Sequence, residues 1–168
     1  SQTPQGIVAV VQKEEVGEAD FSQGKFLFLE DVQDPGNVGT IIRTADAAGF
    51  TGVIVSDKSA DIYSLKTLRS MQGSHFHLPI YRMSSQALLE KAKKAGISVL
   101  ATTLAKDSVD YRELPPIENF VLVMGNEGQG ISSLMAESAD QLVHISMKGQ
   151  AESLNVAVAA GILIFHLS

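Results

Sequence analysis

FVLVMGNEGQGIS, residues 120–132, is the stretch that decides the fold. Its first five residues form an unbroken apolar run of strand length, with no polar alternation. Such a run reads as a strand covered on both faces. Glycines at 125, 128 and 130 follow at once, and a helix is expected near 132–137. Strand, glycine loop and helix in succession are half of a parallel-sheet unit. The glycines let main-chain groups approach a ligand closely. Their order is GxxxxG with Gly128 inside, which is neither GxGxxG nor GxxxxGK[ST], so dinucleotide and P-loop readings fail on spacing. Taken alone, an ordinary turn at a strand end explains the loop at least as well.

The same alternation extends in both directions. Toward the N-terminus, 7–11 (IVAVV) reads as a short strand, 13–24 as a surface connection and 26–29 (FLFL) as a strand. Turn formers fill 31–36, and Asn37 is expected to cap a helix to about Ala48, with Gly49 in the stop position. A strand begins at 53–55, and a helix covers 65–71. Residues 78–80 (LPI) are at best a short extended piece, because proline cannot donate to a sheet. An amphipathic helix over 84–95 ends at Gly96, and 97–101 is a strand. Residues 102–119 are loop-rich. Beyond the glycine loop come a short strand at 142–145 and a last helix at 154–167. These elements imply one α/β domain over 1–168, with a mostly parallel sheet and helices on both faces. No repeat or linker interrupts it. Ligands of such sheets lie beyond the carboxyl ends of the strands. There the loops 34–40, 125–130 and 146–155 hold the unusual chemistry.

Composition narrows the function. The chain has 168 residues, 45% hydrophobic and 19% charged, and a formal net charge of −6. That is ordinary for a globular domain and excludes wholesale disorder. Zero cysteines exclude a disulfide scaffold and any thiolate metal site, and fit a reducing, cytoplasmic location. The apolar stretch 154–167 falls short of the roughly 20 residues a spanning helix needs, so no membrane is expected. The opening SQTP has no signal-peptide pattern and no initiator Met, which suggests a processed or truncated chain. The acidic balance argues against a general nucleic-acid binder, so any RNA contact must use a local basic patch, a partner or another segment.

Single residues carry the rest. Arg43 sits in an otherwise apolar helix (Ile41, Ile42, Ala45, Ala47, Ala48). Its planar fork suits a phosphate. An ion pair with Asp46 or Glu127 is the plainer alternative. Ser153 reads as the cap of the last helix, and Asn155 in its first turn has the same structural reading. That helix is apolar nearly all round, so it is buried in the core or in a subunit interface. His75 and His77 flank Phe76 with no acidic companion, so no metal site is expected. Asp31 and Asp34 read as turn formers. No GxSxG elbow supports a hydrolase.

Three segments taken together are more specific. NxGxxxRTA (Asn37 to Ala45), VMGNEGQGIS (Val123 to Ser132) and MKGQAESLNVAVAA (Met147 to Ala160) resemble, in order, the three motifs of the SpoU family. Those proteins are S-adenosylmethionine-dependent RNA ribose 2′-O-methyltransferases of the SPOUT superfamily. The likeness runs from about Leu27 to the end and includes residues 60–80. One departure is Leu65, where relatives often carry proline. The resemblance implies a SPOUT-type fold with a C-terminal trefoil knot, and a homodimer with active sites near the interface. It implies also an N-terminal RNA-binding domain in many relatives, of which 4–11 (PQGIVAVV) resembles the junction.

By the same resemblance, Asn37, Arg43, Glu127, Ser153 and Asn155 are the polar set near the chemistry, and cofactor contacts come from around Thr102, Gly125, Ile145 and Leu154. The expected activity is methylation of a ribose 2′-hydroxyl, in ribosomal RNA ahead of transfer RNA. An inactive RNA-binding or nucleotide-binding module of the same fold is the alternative. The family's motif-one arginine has been proposed as the base, yet a guanidinium essentially never deprotonates in proteins. Arg43 is therefore expected to hold an RNA phosphate and stabilise the alkoxide, with the proton leaving to a phosphate oxygen, water or Glu127. Glu127 equally suits orienting Arg43.

Overall fold

The computed structural model describes residues 6–7, 9–13 and 16–168. The readings placed on SQTP, and on Val8 within 7–11, lie outside them. Among the described residues, seven parallel strands form the sheet: β1 (Lys25–Leu29), β2 (Gly52–Val55), β3 (Ile80–Arg82), β4 (Ser98–Thr102), β5 (Val109–Asp110), β6 (Phe120–Met124) and β7 (Gln141–His144). Their order is β3-β2-β1-β6-β4-β7-β5. β6 pairs with both β1 and β4, matching Leu122 to Leu27 on one side and to Leu100 on the other. The strand with the plainest apolar run thus occupies the middle of the sheet, where both faces are covered.

Strand side chains alternate between two cores. Leu27, Leu29, Val53, Val55, Leu100 and Leu122 point to one face, under α1 (Pro35–Ala47), α2 (Leu65–Met71) and α5 (Val156–Leu167). Phe26, Phe28, Ile54, Val99, Val121 and Val123 point to the other, under α3 (Ser85–Ala95) and α4 (Ser133–Ser138). α1 and α2 touch backbone to backbone at Gly39, where a Cβ would fall 2.6 Å from the Thr67 carbonyl oxygen.

Three expectations need correction. Residues 7–11 form no strand among those described: Ile7, Val10 and Val11 are exposed, because a β-branched run still needs a sheet partner. α1 begins two residues before Asn37: Asp34 caps it by accepting the Asn37 N–H at 2.9 Å, and Pro35 sits where its missing N–H costs nothing. α5 begins after Asn155, not at Leu154, and its cap is Asn155, whose Oδ1 accepts from the N–H groups of Ala157 and Val158; Ser153 has no capping role. The loop-rich stretch 102–119 contains β5 at one sheet edge, and 78–80 leads into β3 at the other.

Candidate functional site

β1, β4, β6 and β7 all end on the same side, and the loops after β4, β6 and β7 enclose a cleft of ≈ 590 Å³. Thr102, Gly125, Ile145 and Leu154, the residues expected to hold a cofactor, all line it, as do Glu127 and Ser153. The glycine loop reaches this shape by folding back on itself. Asn126 and Gly130 exchange N–H···O bonds of 3.0 and 2.9 Å. That closure leaves no room at Gly125, whose Cβ would lie 2.4 Å from the Gly130 carbonyl carbon. Asn126 completes the turn: its Oδ1 accepts from Gly128 and Gln129, and its Nδ2 donates to the Asp31 carbonyl at 2.8 Å. Asp31 aims that carbonyl from a left-handed conformation (φ 57°), which Asp tolerates better than most residues.

Below the loop lies a buried acid that sequence reasoning passed over. Glu30, 3% exposed, accepts from Ser132 Oγ (2.7 Å), Ser132 N–H (2.8 Å) and Ser85 Oγ (2.5 Å). These bonds satisfy a charge that would otherwise be costly to bury. They also pin the β1 end to the start of α4. Only its place at a strand end, immediately after FLFL, hinted at it.

Residues from three separate segments meet at the cleft's edge. The Asn155 Nδ2 donates to Asn37 Oδ1 (3.1 Å), and the Asn37 Nδ2 donates to Glu127 Oε1 (3.2 Å). Glu127 also accepts from the N–H groups of Asp34 (2.9 Å) and Gln33 (3.1 Å). Burial acts to raise the Glu127 carboxyl, but these N–H donors and the Asn37 amide outweigh it and hold the group below its ordinary value. Glu127 is thus an ionised acceptor and a weak base. The shift of the α1 start matters here: with Asp34 as the cap, the Asn37 side chain is free to face Glu127.

Arg43 stands apart. It is exposed on α1, does not line the cleft, and forms no ion pair among the described residues. Both expected ion-pair partners are engaged elsewhere: Asp46 with His77 at 3.4 Å, and Glu127 as above. The expectation that Glu127 orients Arg43 is therefore not met within one chain.

The cleft's charge is distinctive. Its lining has two carboxylates, Glu127 and Glu152, and His144, but neither lysine nor arginine among the described residues. A phosphate-bearing dinucleotide would find no lysine or arginine there, whereas a compact cationic ligand would find two carboxylates. No metal-binding group of His, Asp or Glu occurs among the described residues, and no described helix is long and apolar enough to cross a membrane.

A family model described as the SpoU rRNA methylase family matches residues 24–165. The 23S rRNA (guanosine(2553)-2′-O)-methyltransferase RlmP of Bacillus subtilis is 46% identical over 167 residues, spanning 99% of this chain and 66% of that protein. An AdoMet-bound rRNA methyltransferase from Sinorhizobium meliloti superposes with a TM-score of 0.81 at 44% identity, over 85% of this chain and 55% of that one. The methyltransferase AviRb of Streptomyces viridochromogenes, in complex with AdoMet, gives 0.78 at 34% identity, over 89% of this chain and 60% of the other. The chain thus spans just under two thirds of that relative's length, and little more than half of the S. meliloti structure.

Proposed function

This chain is a member of the SpoU rRNA methylase family, and from that membership we propose that it transfers a methyl group from S-adenosylmethionine to a ribose 2′-hydroxyl of ribosomal RNA. The observation that carries the reading is the Asn155–Asn37–Glu127 chain at the rim of a cleft lined by carboxylates and by no lysine or arginine. Three segments far apart in sequence converge there, one from each motif.

The residues present fit the cofactor. A sulfonium is a cation, and the cleft offers carboxylates with main-chain walls. When bound, the cofactor supplies an electrophilic methyl group. The chain's own part is to align, to desolvate and to stabilise. Thr102, Gly125, Ile145 and Leu154 form the walls, with Thr102 fixed by donating to the Val123 carbonyl at 2.9 Å. Asn37 and Asn155 present amides at the rim, where they can orient the ribose hydroxyl. Holding the reacting atoms in line accounts for much of the acceleration of such a displacement. Glu127, kept ionised by its N–H donors, holds the Asn37 amide and does not serve as the base. The proton passes to water or an RNA phosphate oxygen.

Arg43 stays charged and forms no ion pair among the described residues, so its fork is available to an RNA phosphate and a developing alkoxide. Its distance from the cleft suits a homodimer that brings the α1 face of one subunit to the cleft of the other. α5 supports a dimer: Phe165 (58%) and Val158 (52%) are exposed on a helix whose one ionisable residue is His166. The trefoil knot belongs to the same proposal. It is supported by β6 lying between β1 and β4, and by α5 packing back against α1.

The test is transfer of methyl label from S-adenosylmethionine to RNA from cells lacking the protein, followed by ribose-methylation mapping. Label at one 23S ribose is expected. Label on a base, or on transfer RNA alone, overturns the reading.

A further inference from the structure

Behind the cleft wall lies a polar cluster that the proposed chemistry does not use. His144 ends β7 and lines the cleft, with its side chain 29% exposed. Its Nδ1 lies 3.0 Å from Ser108 Oγ, and its Nε2 lies 3.3 Å from Ser146 Oγ. Each serine has one hydroxyl proton, and each has committed it. Ser108 donates to the Ala105 carbonyl, and Ser146 donates to Asp110 Oδ2. Asp110 cannot return a proton. It is tied to Arg112 through Nε (2.7 Å), Nη2 (2.9 Å) and the backbone N–H (3.0 Å). Hydrogen bonds from Arg112 and then Ser146 keep its carboxyl far below the usual range. Both serine oxygens therefore meet the imidazole as acceptors. Both ring nitrogens must donate, and only the imidazolium has two N–H groups.

We infer that His144, as an imidazolium, is a positioning residue that ties the loop 103–108 to the segment after β7 and so shapes the cofactor cleft. This rests on the reading of the cleft as a cofactor site. Thr103, Leu104 and Ala105 form one wall, and Ile145 and Met147 the other. His144 bridges them through Ser108 and Ser146. A neutral ring leaves one nitrogen lone pair against a serine oxygen, and the tie to one wall opens. The ionisable groups on neighbouring segments are Asp110 in β5, Tyr111, Arg112 and Glu113 after it, Lys106 and Asp107 on the loop, and Lys148 and Glu152 after β7. Asp110 lies 4.0 Å from Nε2, and Arg112 is held by both Asp110 oxygens. The other histidines, His75, His77 and His166, do not line the cleft.

Affinity for S-adenosylhomocysteine, measured by calorimetry at pH 6 and pH 8, tests this together with amide-exchange protection factors of 103–108 in the ligand-free chain. Loss of one hydrogen bond predicts roughly 3–10-fold weaker binding at pH 8 and lower loop protection. Ser108→Ala and His144→Gln, which cannot form the double tie, should bind equally at both pH values. Protection that ignores pH, or an affinity slope unchanged in the variants, overturns the inference. PH-dependent protection with pH-independent affinity overturns its cofactor role. No binding at any pH, with protection still pH-dependent, overturns the cofactor reading of the cleft and leaves the tie itself demonstrated.

Discussion

Arg43 and Asn155 separate structural from chemical roles one side chain at a time. Arg43 touches no carboxylate among the described residues, so Arg43→Ala leaves the fold without an orphaned partner. Its turnover should fall about 10²–10³-fold while S-adenosylhomocysteine affinity stays unchanged, as for the loss of a transition-state contact. Arg43→Lys should retain part of the rate, because the charge survives and the fork does not. Normal turnover in Arg43→Ala would reject the role. Asn155 works twice: Oδ1 caps α5, and Nδ2 donates to Asn37. Asp caps a helix as well as Asn does but has no amide. Asn155→Asp should therefore keep the melting temperature and lose turnover, whereas Asn155→Ala should lose both, with about 1 kcal/mol of stability gone. Equal turnover in the Asp variant and the original would remove Asn155 from the chemistry.

At the scale of elements, α5 and the glycine loop make distinct demands. α5 buries Val156, Ala160, Leu163, Ile164 and Leu167 on the sheet, yet leaves Phe165 and Val158 open. They lie two turns apart on one face of the helix, an apolar surface that a second copy can cover. Phe165→Glu should convert a dimer to a monomer in light scattering at micromolar concentration, with its circular dichroism unchanged. A monomer before mutation would reject the interface. The loop makes a steric demand. Gly125→Ala places a methyl 2.4 Å from the Gly130 carbonyl carbon, against backbone that cannot swing aside. Cofactor binding should be lost, and thermal unfolding should move several degrees lower. An unchanged binding isotherm would show that the loop tolerates opening.

For the whole molecule, charge sets two behaviours. The carboxyls of Asp110 and Glu127 lie below their ordinary values in the folded chain. Groups with depressed values contribute stability that is present above the unfolded value and lost as pH falls toward the folded one. The melting temperature should therefore drop on acidification from about pH 5 to 3. Asp110→Asn, less stable at neutral pH, should lose less over that interval. A parallel fall in both proteins would show that Asp110 contributes nothing to the acid response. The net charge of −6 bears on RNA: phosphate contacts can come only from local cations such as Arg43, so the chain's own RNA affinity should be weak and fall steeply with salt.

Local rules reached the elements and most of the residues. The apolar run at Phe120–Met124 marked the central strand, because a strand covered on both faces has no polar alternation. The glycines at 125–130 were legible as an unusual loop, Arg43 stood out in an apolar helix, and Asn37, Glu127 and Asn155 emerged through the likeness of three motifs to the SpoU family. The β-branched run at 7–11 misled, since strand propensity is realised only against a partner and the described residues there have none. The cap of α1 was read too late, at Asn37, and that of α5 too early, at Ser153, because Asp34 and Asn155 compete with them for the same duty. Tertiary structure alone decided that Asn37, Glu127 and Asn155 share one hydrogen-bonded chain across more than a hundred residues, and that Arg43 stands outside it. It alone revealed Glu30 beneath the glycine loop and the double tie at His144. Periodicity reports which face of an element is buried. Which side chains meet depends on strand order, and here β6 enters between β1 and β4, a choice made by the packing of the whole sheet.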